Sequence, residues 1–358
     1  MAEDKNTMKY GICGALAALC LGMAGCGVST PERPARQFIL PELEASGEVQ
    51  NRRAAEFRSL TSGIRIRGVG VFLTEVRREH IPADQLLDRI TALGFNRVYC
   101  YVSSETQLDD FFRKFIAAAR KRGLAVEAVL NQRDFYFRST GNRIIRWFRP
   151  NYLRLDDAAE ALARFDAGSS DGEKLAGVTV IIEPHIFTAT NPDIPPDAIY
   201  YWSDKTFGSD LDNAMLMRAS FERLRQSKAR SGHLTFTCAA ADFYHELAAE
   251  GKIPLGKVSD FTAISPRVLL LDSGNKPSEA AKVVENELAA IPAGKTAVIG
   301  INLAGHTSVD SGSLRRRDWN DLMRAMRYLL RNFRKHQAFE GFLIAPFSML
   351  EFVRMERD

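Results

Sequence analysis

Gly177-Val178-Thr179-Val180-Ile181-Ile182-Glu183-Pro184-His185 is an apolar, β-branched run that stops abruptly at a carboxylate. Bounded by Gly at one end and Glu-Pro at the other, it has the length and composition of a strand covered on both faces. Such strands occur in parallel sheets sheathed by helices. Alternation places Thr179, Ile181 and Glu183 on one face. Glu183 then stands where the strand meets its outgoing loop, the rim at which a (β/α)8 barrel gathers catalytic and binding side chains.

Working outward, strands alternate with amphipathic helices. Gly68 to Leu73, Arg97 to Val102 and Leu124 to Leu130 precede the opening run, and His233 to Ala239, Asp260 to Ile264, Thr296 to Ile301 and Gly341 to Ala345 follow it. Helical spacing runs over Pro82 to Leu93, from Leu108 to Ala119, and over Asn213 to Gln226, Phe243 to Glu250, Ser278 to Ala290 and Ser313 to His336. The strand, helix, Gly, strand rhythm is that of right-handed βαβ units. Eight strands predict a closed (β/α)8 barrel in one domain over residues 63–358. No G-x-G-x-x-G turn or P-loop is present to favour an open nucleotide-binding sheet. A chain of 358 residues, 46% hydrophobic, can bury such a core, which takes roughly 250 residues.

The N-terminus reads differently. Lys9 precedes a short apolar run, rich in Gly and Ala, that ends Met23-Ala24-Gly25-Cys26, too short to span a bilayer and built like a secretory h-region. These four residues resemble the lipobox of bacterial lipoproteins, which implies lipidation of Cys26, a signal peptide over residues 1–26 and anchorage in the cell envelope. Gly27, where an Asp would retain the protein at the inner membrane, points to the outer membrane. Met8 is an alternative start. Residues 27–62 read as a tether with one docking helix between Glu42 and Leu60. Cys100 and Cys238 lie in strand-like runs and are expected as buried free thiols. No zinc spacing exists, no cofactor is implied, and a net charge of +4 singles out no partner.

The strand ends supply the candidate site. They offer Glu75, Glu105, Asn131, Asp134 and Tyr136, then Glu183 and His185, Tyr201 and Trp202, Asp242, Arg267, Asn302 and His306. Aromatics and arginines mix in the segment from Arg133 to Arg149 and aromatics recur at Tyr200 to Trp202, a composition suited to stacking sugar rings and holding their hydroxyls. Glu127 falls mid-strand on the inward face and needs a partner near the barrel floor, from Arg65, Arg67 or Arg97. On the helix near the C-terminus, Arg324, Arg327, Arg331 and Lys335 form a basic face, read as solvated or as a contact for acidic lipid.

The run Gly-Val-Thr-Val-Ile-Ile-Glu-Pro-His resembles the fourth strand of chitinase-like glycoside hydrolase barrels. That resemblance implies a glycan substrate and a general-acid role for Glu183. The carboxylate such enzymes carry two residues earlier is Ile181 here, and the seventh strand, where other glycosidase barrels place a glutamate, ends in Asn302. Two-carboxylate mechanisms need acids about 5 Å or about 6.5–9.5 Å apart. The expectation is therefore an anchored barrel that binds an oligosaccharide or envelope glycan, contacts no nucleic acid, and has lost catalysis. The alternatives are an active glycosidase pairing Glu183 with Asp134 or Asp242, and a non-catalytic envelope scaffold. Oligomeric state is not legible.

Overall fold

The computed structural model describes residues 47–78, 82–131, 155–183, 210–271, 277–303 and 319–345. Contacts divide the chain into Met1–Leu43 and Glu44–Asp358, and the second unit holds every element below. In chain order these are α1 (Gly47–Leu60), β1 (Ile66–Phe72), α2 (Leu73–Arg78), α3 (Ala83–Leu93), β2 (Arg97–Tyr101), α4 (Asp110–Lys121), β3 (Ala125–Asn131), α5 (Leu155–Ala167) and β4 (Gly177–Ile181). They continue with α6 (Asp210–Arg230), β5 (Phe236–Ala241), α7 (Tyr244–Ala249), α8 (Val258–Ile264), β6 (Arg267–Leu271), α9 (Pro277–Ala290), β7 (Thr296–Asn302), α10 (Trp319–Phe333) and β8 (Phe339–Ala345).

The eight strands are parallel and close on themselves in sequence order. Carrying the residue partners once round the sheet moves Ile66 to position 74, a stagger of about eight residues, the shear of a TIM barrel. Period-two alternation sorts each strand between two cores. Ile66, Tyr99, Val129, Ile181, Ala239, Leu269, Val298 and Leu343, one from each strand, pack together in the lumen. Their neighbours, such as Val98, Ala128, Val180, Cys238 and Val268, face the helices. That second layer is why the strands read as continuous apolar runs. Cys100 and Cys238 are free and buried in it, and burial pushes both thiols up, away from the reactive thiolate.

The sixth strand differs from the sequence reading. Asp260 to Ile264 lies within α8, and β6 begins at Arg267. A five-residue apolar run does not distinguish strand from helix. What decides is its start: the Asp260 carboxylate accepts the backbone N–H groups of Gly256 and Lys257, both at 2.9 Å, closing a helix N-terminus. Phe261 then packs between Phe221 and Tyr244. A further helix, α5, fills the β3–β4 crossover where the sequence reading placed none.

Below the apolar plug, the lumen holds a network of charge. Glu127 is 0% exposed and its carboxylate accepts from Arg97 Nη1 at 2.5 Å, Thr179 Oγ1 at 2.5 Å and Arg267 Nη1 at 3.4 Å. Arg267 Nε also donates to Glu340 at 2.9 Å, and Arg65 donates to the other oxygen of Glu340 at 2.6 Å. Glu340 sits where the β7–β8 register slips, between Ala297 paired with Phe339 and Val298 paired with Gly341. The bulge re-aims a carboxylate into the barrel floor. The next residue must be Gly: a Cβ on Gly341 would lie 1.8 Å from the Ile66 carbonyl oxygen. Removing the Glu127 charge strands two arginines away from water. Glu127→Leu is expected to cost about 3–5 kcal/mol, read as a lowered urea midpoint with an unchanged m-value.

Candidate functional site

The β4 strand delivers its side chains as alternation requires. Thr179 bonds Glu127 in the lumen, and Ile181 packs in the lumen's apolar layer at 2% exposure. Two residues on, Glu183 is 5% exposed at the C-terminal end of the strand, with polar or ionic contacts of its own. A carboxylate held this far from water at a barrel mouth is costly unless bonded, so its placement is specified by its surroundings. Asn131 is the partner of Ile181 in the β3–β4 register, half-buried one level below Glu183. It too is engaged.

Asp242 is 2% exposed and follows β5 directly. Continuing the β4–β5 register sets Glu183 level with Ala241. Ala241 in turn pairs with Leu271, which packs against the lumen cluster. Asp242 itself lies in the turn beyond the strand, after Ala240 and Ala241, which both pack in the helix-side core. Its charge acts on Glu287 of α9. The backbones of Glu183 and Asp242 adjoin, and both side chains have polar or ionic contacts.

Arg267 is not at the mouth. With β6 starting at that residue, its guanidinium lies at the opposite end of the lumen, between Glu127 and Glu340. Its candidacy as a substrate ligand rested on the displaced sixth strand. Arg97 is the floor partner of Glu127, whereas Arg67 donates to the carbonyls of Gly94 and Ile64. Asn302 is the last residue of β7. Glu75 lies in α2 and Glu105 in a single 3-10 turn after β2, where it is exposed. Asp134, Tyr136, His185, Tyr201, Trp202, His306 and Cys26 lie outside the described residues. Among the described residues no group of three or more His, Cys, Asp or Glu side chains is placed to hold a metal ion.

Three buried polar groups went unnoticed in the sequence. Glu340 is one, in the floor network. Tyr99 lies on the lumen face with its hydroxyl unpartnered, and burial, with the nearby Glu127 charge, holds that phenol up in its neutral form. Glu287 is the third: it is 1% exposed, and neither carboxylate oxygen has a hydrogen-bond partner. The available signal was a carboxylate interrupting the apolar stripe of α9, beside the buried Val284 and Leu288.

No family model matches the chain, and no curated protein matches it in sequence. Solved structures that align with it include a β-1,4-D-mannanase from Cryptopygus antarcticus, at 13% identity and a TM-score of 0.44 over 80% of this chain and 86% of that one. The spore cortex-lytic enzyme SleL of Bacillus megaterium aligns at 11% identity and a TM-score of 0.44, over 81% of this chain and 75% of that one. A D-psicose 3-epimerase aligns at 10% identity and a TM-score of 0.42, over 81% and 90%. Alignments this weak add nothing to what the closed barrel already shows.

Burial raises the Glu287 carboxyl well above its ordinary range, and the charges of Asp242 and Glu246 raise it further. A group that holds its proton more tightly when folded stabilises the fold fully below its unfolded value. That contribution is lost as pH rises from the ordinary carboxylate range toward the folded value. Glu287→Gln keeps the shape without an ionisable proton. Thermal melts across pH 4 to 8 are expected to show a flatter stability profile for this variant and a higher Tm than wild type at the alkaline end.

Proposed function

We propose that this chain is a lipid-anchored envelope protein whose barrel binds a carbohydrate at its C-terminal mouth and has lost hydrolytic chemistry. The observation that carries the reading is the pairing on β4 of a buried Glu183 with an Ile181 sunk in the lumen's apolar layer. Hydrolysis of a glycoside by paired acids needs a second carboxylate across the scissile bond from the first. The residue on the same face, two positions before Glu183, is aliphatic. One acid at a barrel mouth remains competent to accept hydrogen bonds from sugar hydroxyls. The aromatic and arginine-rich segments after β3 and β4, Phe135 to Arg149 and Tyr200 to Trp202, supply the stacking surfaces that sugar recognition uses.

The anchor follows from Met23-Ala24-Gly25-Cys26 and places the barrel in the cell envelope, with an envelope glycan as its ligand class. Lipidation of Cys26 accounts for attachment without a spanning helix.

Calorimetric titration with chitin-, mannan- and peptidoglycan-derived oligosaccharides is expected to reveal binding that weakens about 10-fold in Glu183→Gln, the scale of a lost hydrogen bond to a charged group. No release of chromophore is expected from aryl N-acetylglucosaminides. Turnover by wild type that vanishes in Glu183→Gln would instead establish an active glycosidase, with Asp134 or Asp242 as its second acid. Silence across the whole panel would reject the sugar reading in favour of a scaffold.

In cells, Cys26→Ser is expected to move the protein from the membrane fraction to the soluble envelope fraction. Metabolic labelling with a fatty-acid analogue should mark the wild-type chain and not the variant.

A further inference from the structure

On the helix ring, Arg77, Arg122, Arg164, Arg223 and Arg230 each sit on a carboxylate. Arg120, on the Asp171 carbonyl, and the exposed Arg218 do not. Several more without one gather at the edge formed by α1, the end of α3 and the last turns of α10. There Arg58 spends its donors on the Ala92 carbonyl, and Arg334 donates to the carbonyls of Leu60 and Ser62. Hydrogen bonds to carbonyls hold a guanidinium in place without neutralising it. Arg52 and Arg331 are exposed. Among the described residues none of these four arginines pairs with a carboxylate.

Of the acids on these helices, Glu56 binds Arg327 at 2.5 Å and Glu285 binds Lys335 at 2.5 Å, while Glu48, at the start of α1, is exposed. Amid the uncompensated charge stands Tyr328, 41% exposed, one of two large hydrophobic side chains exposed among the described residues. Loose positive charge around an exposed amphipathic ring is the composition of a surface that meets lipid headgroups.

Topology fixes where this edge points. Barrel helices run antiparallel to the strands, so the C-terminal ends of α3 and α10 lie at the end where strands begin, with Arg65 and the floor network. The Glu183 mouth is at the other end.

We propose that the N-terminal face of the barrel, around Arg58, Arg331, Arg334 and Tyr328, docks on an anionic phospholipid bilayer and so presents the mouth away from the membrane. The proposal rests on the preceding section only for the anchor at Cys26, which supplies the bilayer. The contact itself uses none of the residues assigned to glycan binding.

Residues Glu44–Asp358 form a compact unit that contains all eight strands and α1, and this fragment lacks both the apolar leader and Cys26. Flotation of the fragment with vesicles of phosphatidylcholine alone, or with one third phosphatidylglycerol, tests the surface apart from the anchor. It is expected to float with the anionic vesicles only and to be released by 0.5 M salt. Combined Arg58→Gln, Arg331→Gln and Arg334→Gln should lower partitioning on the order of 100-fold, whereas Arg164→Gln, Arg218→Gln and Arg225→Gln should leave it unchanged. Tyr328→Ser should weaken flotation with the anionic vesicles. Equal flotation with neutral vesicles, equal loss in both triple variants, or binding to heparin beads without vesicle binding would each overturn the proposal. Matched melting temperatures exclude misfolding as the cause of any loss.

Discussion

A carboxylate with no exposed surface, placed mid-strand in the lumen of a closed sheet, cannot persist without charge around it. Glu127 meets that requirement with Arg97, Arg267 and Thr179, contributed by β2, β6 and β4. Arg267 passes the requirement on to Glu340, and Glu340 to Arg65. One buried acid thereby commits strands on opposite sides of the barrel to a single register. A one-residue slip of any of them would turn its polar side chain to the helices and leave a charge unanswered. The bulge that inserts Glu340, and the glycine that follows it, are the local cost of closing that circuit.

This circuit divides the lumen along its axis. Charge occupies the floor, one apolar residue from every strand fills the middle, and Glu183 and Asn131 stand at the top. Among the described residues that apolar layer stands between the two polar ends. The polar floor can therefore be tightly specified for stability while the mouth varies with function, the separation that lets one barrel host many chemistries. Ile181 belongs to the middle layer by position. Its aliphatic side chain extends the plug upward, where an acid would have extended the mouth downward.

The barrel was legible because its strands are covered on both faces, which makes them apolar along their whole length. Glycines such as Gly94 and Gly123, both at positive φ, mark helix ends ahead of β2 and β3. The inward position of Glu127 was likewise readable from alternation, which left Arg65, Arg67 and Arg97 as candidate partners; Arg97 is the one that pairs with it. The sixth strand was not, because Asp260 to Ile264 is apolar enough for either period and its helical state depends on a carboxylate closing the turn before it. That displacement moved Arg267 the full length of the lumen. Its proper place is a property of the Glu127–Glu340 circuit, which joins residues 213 positions apart in sequence, beyond the reach of any local pattern. Glu287 was missed for the opposite reason: a single acid in a helix of ordinary amphipathic spacing is invisible until burial is known.

The two ends of the barrel also differ in how they treat arginine, and that difference bears on function. At the floor inside the lumen, guanidinium charge is matched by carboxylates because no solvent is there to screen it. Just outside, on the same end of the molecule, Arg58 and Arg334 are held by carbonyls alone. Guanidinium groups fixed by backbone acceptors lose side-chain freedom on folding without losing charge, so less entropy remains to be lost when an anion arrives. Such a surface suits a partner that carries many weak negative charges rather than one strong one.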